Sequence, residues 1–182
     1  VLTPQIELYD KTCGIFGLGA IGFAFAKMAQ GFGMRVISYS RHKKTDPKYD
    51  FIEQVDFDTL LAESDVISIH APLTPSTEDT FDADAFAKMK DGTILINTAR
   101  GGLIVEEALV DALQSGKVYG AGLDVIRDEP PKGDNPLLHQ DNAAITAHIA
   151  WLTRASRLRA IDIAIDNFKA YLRGEPVSVI NK

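Results

Sequence analysis

Arg100, Glu129 and His148 each follow a short apolar run, in the second half of a chain of 182 residues. Arg100 stands in Asn97-Thr98-Ala99-Arg100-Gly101-Gly102, where its planar, permanently charged fork suits an anionic or carbonyl substrate. His148, in Ile145-Thr146-Ala147-His148, is the natural proton carrier near neutral pH. A carboxylate beside it, Glu129, would stabilise the imidazolium form. Together the three make a constellation for interconverting a carbonyl and an alcohol. Taken singly, each has a plainer reading. Arg100 also reads as a capping or surface arginine, and Glu129 as part of the solvated run Arg127-Asp128-Glu129. A lone His148 also reads as structural, and His42 and His139 read as exposed loop histidines.

The hydride for such chemistry must come from a cofactor, and a second motif supplies its seat. Gly17-Leu18-Gly19-Ala20-Ile21-Gly22 matches G-x-G-x-x-G, directly after an apolar run and at the start of a helical pattern. In that context Gly17 makes the tight turn, Gly19 lets a pyrophosphate approach the backbone, and Gly22 lets helix and strand pack closely. The amides of Ala20 and Ile21 then face the phosphates at a helix N-terminus. A turn that merely packs tightly, or a methyltransferase-type loop, shares the pattern. About 20 residues on, a reader of NAD carries an acid for the ribose 2′-hydroxyl. Here Ser40-Arg41-His42-Lys43-Lys44 puts Ser40 in that place, so nothing repels a 2′-phosphate and Arg41 can pair with it. The spacing favours NADP over NAD, while a solvated basic loop remains the alternative. Asp124 closes a further apolar run within reach of a nicotinamide amide, and His70 either lines the cofactor pocket or simply ends a strand.

The elements that must position these groups alternate between β-branched runs and helical periodicity. Strands are expected at 12–17, 35–39, 65–69, 93–97, 121–125 and 143–146. Helices are expected at 20–32, 58–63, 82–89 (capped by Asp82), 106–115 (closed by Gly116) and 153–172. In the first of these, Ile21, Phe25, Met28 and Phe32 recur at helical spacing; in the last, Leu158, Ile161, Ile165, Phe168 and Leu172 do so. Segments 40–56 and 127–142 read as loops. This order predicts an α/β fold, a doubly wound parallel sheet with helices on both faces. Its ligands bind at the carboxyl ends of the strands.

Composition bounds the rest. With 46% apolar and 24% charged residues the chain is globular, and its length predicts one domain, the whole of 1–182. A net charge of −6 without a basic cluster of five argues against nucleic acid and anionic membrane as partners. No run approaches the ~18 apolar residues of a membrane span, and Val1-Leu2-Thr3-Pro4 does not open a signal peptide. One cysteine, Cys13, forms no internal disulfide or metal cluster and fits a cytoplasmic setting. The absence of an initiator Met reads as the mark of a longer protein.

In their order, the motifs resemble the nucleotide-binding domain of the D-isomer-specific 2-hydroxyacid dehydrogenases, over about 10–181. The resemblance rests on the phosphate turn, His70-Ala71-Pro72-Leu73 with Thr77, Met89-Lys90-Asp91-Gly92, Asn97 to Gly102, Gly122-Leu123-Asp124-Val125, Asp128-Glu129-Pro130 and His148-Ile149-Ala150-Trp151. The last motif and the closing Gly174 to Asn181 are similar to the glycerate dehydrogenase and hydroxypyruvate reductase branch. The resemblance implies a Rossmann-type fold, with Arg100 on the substrate carboxylate and carbonyl, His148 as acid/base and Glu129 tuning it. It also implies Asp124 on the nicotinamide carboxamide, Pro72, Thr77, Thr98, Ala99 and Ala150 around the cofactor, and a homodimer. The substrate would be a small 2-oxo or 2-hydroxy acid.

This chain departs from the family pattern at Ser40 and at Ile126-Arg127. It also departs before the phosphate turn, where members carry a substrate domain. Its rival from another class is a non-enzymatic dinucleotide sensor or co-repressor-like module. The conjunction of Arg100, Glu129 and His148 favours the enzyme, since a sensor needs only the phosphate turn and a ribose contact. Formate- or phosphite-type oxidation is a third reading, against which Glu129 counts, because formate enzymes usually pair their histidine with glutamine.

Overall fold

The computed structural model describes residues 5–180. Val1–Pro4, read above as no signal peptide, and Asn181 of the closing run lie outside them. The chain divides into two compact units, Val1–Ala147 and His148–Lys182.

The first unit is a parallel sheet of seven strands in the order β3-β2-β1-β4-β5-β6-β7. The strands are β1 (Thr12–Phe16), β2 (Arg35–Tyr39), β3 (Glu53–Gln54), β4 (Val66–Ile69), β5 (Thr93–Asn97), β6 (Val118–Leu123) and β7 (Ala143–Ile145). Every residue of β1 and β4 is buried, because both faces of a parallel sheet are covered. Alternate side chains feed two separate cores. Cys13, Ile15, Val36 and Val66 meet Ala26 and Ala29 of α1 (Ala20–Gly31) on one face. Phe16, Ile37, Ile67 and Leu95 meet α2 (Phe57–Glu63), α3 (Ala83–Lys88) and α4 (Glu106–Gln114) on the other. The expected doubly wound fold is thus observed. Asp56 and Asp82 cap α2 and α3, accepting from the amides of Thr59 and Ala85 at 2.7 and 2.9 Å.

Several local expectations are corrected. Segment 40–56 is not all loop: β3 extends the sheet there, pairing Ile37 with Glu53, and Pro47–Tyr49 forms a 3₁₀ turn capped by Asp46. The strand expected at 121–125 runs from Val118 to Leu123. Of the apolar stripe of the first helix, Ile21, Met28 and Phe32 point outward, and Phe25 alone is half-buried against the core. The buried residues of α1 are the small ones, Gly22, Ala26 and Ala29, while Ile21 and Phe32 are 71% and 62% exposed. The reason is steric. A Cβ on Gly22 would lie 2.2 Å from the Gly17 carbonyl oxygen, so only a face of small residues can approach β1 this closely.

The second unit holds α5 (Arg154–Leu172), whose first turn is capped by Thr153, its hydroxyl accepting from the Ser156 amide at 3.1 Å. Leu158, Ile161, Ile165, Phe168 and Leu172, expected as its apolar face, are all exposed.

Candidate functional site

Strand order reverses between β1 and β4, and the carboxyl ends of these strands carry the phosphate turn. Gly17 donates its amide to the Tyr39 carbonyl at 2.8 Å and takes φ +100°. A Cβ there would sit 2.7 Å from the Ala71 nitrogen, so fold and backbone conformation both require glycine. Gly19 is different. It caps α1 without a side-chain hydrogen bond, and a Cβ built on it meets nothing within 4 Å. The first-turn amides of Ala20 and Ile21 therefore lie at a helix N-terminus under open space, a place that suits an anion.

Beside this turn lies a cavity of about 430 Å³, within the range of small-molecule and cofactor pockets. Gly17, Leu18 and Gly19 form one wall. Ser40, Arg41, His42 and Lys44 form a second, at the end of β2. His70, Pro72 and the hydroxyl-bearing Thr74, Ser76 and Thr77 form a third, after β4. Among the described lining residues there is no Asp or Glu. Ser40 donates its hydroxyl to the His42 carbonyl at 3.1 Å, and Arg41 Nε donates to His42 Nε2 at 3.3 Å. Lys44 is held by Gln54 of β3, whose side-chain amide makes both a donor and an acceptor bond to the Lys44 backbone at 2.7 Å. The overlooked strand β3 thus anchors one of the cations at the cavity. His70 lies against Phe25, ring centres 5.2 Å apart, and its Nε2 is 2.9 Å from Ser68 Oγ. Burial pushes its pKa down to about 4, so the ring is neutral near pH 7 and adds no charge to the cavity.

A second group sits at the carboxyl ends of β5 and β6. Asn97, fully buried, donates its amide to the Arg100 carbonyl and accepts from the Ala99 amide, both at 2.9 Å. This ties the exposed Arg100 and its neighbours Thr98 and Ala99 to the strand end. Asp124 donates its backbone amide to the Asn97 carbonyl, and its 5%-exposed side chain accepts from the Thr146 hydroxyl at 2.5 Å. Glu129 Oε1 accepts from the Ile126 amide at 3.3 Å. Arg127, read from sequence as part of a solvated run, is ion-paired with Glu78 and Asp79, and its amide donates to Glu106 at 2.7 Å.

The structure thus gathers Gly17, Gly19, Ser40, Arg41, His70, Pro72 and Thr77 around one cavity, with Ala20, Ile21 and Gly22 continuing from it into α1. It places Thr98, Ala99, Arg100, Asp124 and Glu129 around the ends of the neighbouring strands. His148, with φ +55°, and Ala150 belong to the second unit, where both are exposed. Thr146, Ser68 and Arg127 were missed as site residues. Ser68 reaches His70 two residues along, at the end of its own strand, whereas Thr146 and Arg127 act through partners that strand pairing or loop packing supplies. Among the described residues no group of three His, Cys, Asp or Glu could hold a metal, and no helix is long and apolar enough to cross a membrane.

Comparison with known proteins matches residues 2–150 to the family model described as D-isomer specific 2-hydroxyacid dehydrogenase, NAD binding domain. A hydroxypyruvate reductase of Blautia hydrogenotrophica is 51% identical over 179 residues, covering 98% of this chain and 56% of the relative. The crystal structure of a glyoxylate reductase from Paecilomyes thermophila is 40% identical at a TM-score of 0.86, covering 92% of this chain and 51% of that one. An acyclic imino acid reductase solved with NADPH and D-Arg is 36% identical at a TM-score of 0.88, covering 97% and 55%. The chain spans about half the length of these relatives.

Proposed function

The chain belongs to the D-isomer-specific 2-hydroxyacid dehydrogenase family, by way of its NAD-binding domain, and from that premise we propose that it is the dinucleotide-binding part of an oxidoreductase. The reaction moves a hydride between NADP(H) and a small 2-oxo or D-2-hydroxy acid of hydroxypyruvate or glyoxylate type. The observation that carries this reading is the open space over Gly19. The fold leaves room for a side chain there, whereas a pyrophosphate needs the room itself.

In this reading Gly17, Gly19 and the amides of Ala20 and Ile21 hold the pyrophosphate, with Gly22 keeping α1 close. Ser40 and Arg41 take the 2′-phosphate. His70, Pro72 and Thr77 flank the dinucleotide, and Thr98, Ala99, Asp124 and Ala150 take its nicotinamide half. A nicotinamide held there supplies the hydride. Arg100 binds the substrate carboxylate and carbonyl. His148 gives a proton to the carbonyl oxygen in reduction and takes it back in oxidation, and Glu129 stabilises the charged imidazole. Residues 1–182 act together as the cofactor domain, next to a substrate domain that they do not include. Alone they bind cofactor but turn over poorly, because nothing closes over the substrate. Cofactor and substrate are small molecules; nucleic acid and membrane are not partners in this reading. Its cytoplasmic setting rests on the single cysteine, Cys13, which is buried with its thiol pKa pushed up to about 12.

The preference for NADP(H) is supported by the acid-free lining and the cations Arg41 and Lys44. Fluorescence titration of the chain is expected to give NADPH at least tenfold tighter binding than NADH. Arg41→Ala should abolish most of that difference. Gly19→Val should weaken both cofactors more than tenfold without lowering the melting temperature. Tighter binding of NADH would overturn the cofactor assignment, and full binding by Gly19→Val the phosphate seat.

The same proposal includes a homodimer, supported by the outward apolar residues Ile21 and Met28 on α1 and Phe32 at its C-terminal cap. Sedimentation should show twice the 19.9 kDa chain mass. Met28→Glu combined with Phe32→Glu should halve it; a monomer throughout would remove the dimer from the proposal.

A further inference from the structure

Asp124 lies one residue beyond β6 and Thr146 one residue beyond β7. These strands run parallel with Leu123 opposite Ile145, so the next rung sets Asp124 beside Thr146 with both side chains on one face. Both backbones are pinned: the Thr146 amide donates to the Leu123 carbonyl and the Asp124 amide to the Asn97 carbonyl, each at 2.9 Å. The Asp124 side chain keeps a rotation that the backbone does not control, because the terminal torsion of an aspartate is broad. The Thr146 hydroxyl, donating to Asp124 Oδ1 at 2.5 Å, restricts it. The bond is made to a residue that is almost wholly buried.

We propose that Thr146 is a positioning residue for the nicotinamide, its hydroxyl aiming the Asp124 carboxylate at the carboxamide. The inference rests on the reading of Asp124 as the carboxamide contact. An ionised carboxylate only accepts, so it takes the carboxamide NH2 group, and its aim decides how that group and the ring bearing it are turned. A neutral donor suits the task. A lysine or arginine in place of Thr146 would hold the carboxylate but compete, as a cation, for the oxygens that the carboxamide needs. A hydroxyl occupies one acceptor direction and brings no charge.

The test uses the 182-residue chain and two ligands that differ only in the group concerned, NADPH and 2′-phospho-ADP-ribose, which lacks the nicotinamide. Titration calorimetry of Thr146→Val is expected to show NADPH weakened about five- to tenfold, with 2′-phospho-ADP-ribose unchanged within twofold. Thr146→Ser keeps the hydroxyl and should restore NADPH affinity. Thr146→Ala should repeat the loss if valine disturbs the strand end. Equal weakening of both ligands, or no weakening of either, overturns the role of Thr146. Asp124→Ala, which removes the acceptor, separates the two ideas. A nicotinamide-specific loss there with Thr146→Val silent overturns this inference alone. No nicotinamide-specific loss in Asp124→Ala overturns the reading of Asp124, and the inference with it.

Discussion

Replacing His148 by alanine is expected to lower the rate of hydroxypyruvate reduction by between 10² and 10⁴ while leaving NADPH affinity within twofold. The measurement needs the chain joined to the part of the Blautia hydroxypyruvate reductase that it does not span, so that substrate is enclosed. The size of the effect follows from what the imidazole does. As hydride reaches the carbonyl carbon, negative charge gathers on the carbonyl oxygen, and a proton must arrive there. A positioned imidazolium delivers it in the same step, whereas water must be ordered first and is a far weaker acid. Cofactor affinity should be spared because the phosphate turn and the cavity belong wholly to the first unit, whereas His148 begins the second. Single-turnover oxidation of NADPH separates the two quantities. A variant that reacts at the parent rate would remove His148 from the proton transfer, and one that no longer binds NADPH would give it a structural role instead.

Gly101→Ala is expected to cost about 3 kcal/mol of stability and to lower the melting temperature by about 10 °C. A Cβ at this position would lie 1.9 Å from the Ile126 carbonyl carbon, 2.0 Å from its oxygen and 2.4 Å from the Arg127 nitrogen. All three are backbone atoms, so no side-chain rotation can relieve the overlap, and one of the two segments must move. Neither moves easily. Segment 101–105 is bonded to the chain around Phe81, with the Phe81 amide donating to the Leu103 carbonyl and the Val105 amide to the Phe81 carbonyl, both at 3.0 Å. Arg127 is held by Glu78, Asp79 and Glu106. The contact also joins the turn bearing Arg100 to the segment leading to Glu129, so any variant that folds should lose activity as well. Gly122→Ala in β6 is the control: its Cβ would meet nothing within 4 Å, and thermal melting should barely change. An unaltered melting curve for Gly101→Ala would mean that the two segments do not touch.

The boundaries of β2 and β5 coincide with those expected from sequence, since Arg35–Tyr39 and Thr93–Asn97 are β-branched runs bracketed by clear breaks. β3 was not legible. Glu53 and Gln54 carry no apolar alternation and are extended because an open edge of β2 lies beside them. Helix α1 is legible from its period, whereas the face it buries is not. Periodicity ranks residues by hydrophobicity, and the strand behind α1 selects them by size, so Gly22, Ala26 and Ala29 face inward while Met28 and Phe32 do not. For the basic segment, sequence left open a solvated loop or a ligand wall. The Gln54 clamp on Lys44, made across β3, brings that segment to the cavity.

What the sequence determined by itself is the chemistry confined to consecutive residues. A strand that enters Gly-x-Gly-x-x-Gly and leaves as a helix specifies its own turn, because the positive φ of Gly17, the close approach of Gly22 to the Gly17 carbonyl and the start of α1 are local properties. Asn97 fastening Arg100 three residues away is of the same kind. Only the tertiary structure decided that Thr146 holds Asp124, that Arg127 pairs with Glu78 and Asp79, and that Gly101 meets Ile126. These contacts join residues 22 to 49 positions apart. Strand order, register and the packing of loops at the carboxyl ends of the strands create them, and spacing along the chain carries no record of any of the three.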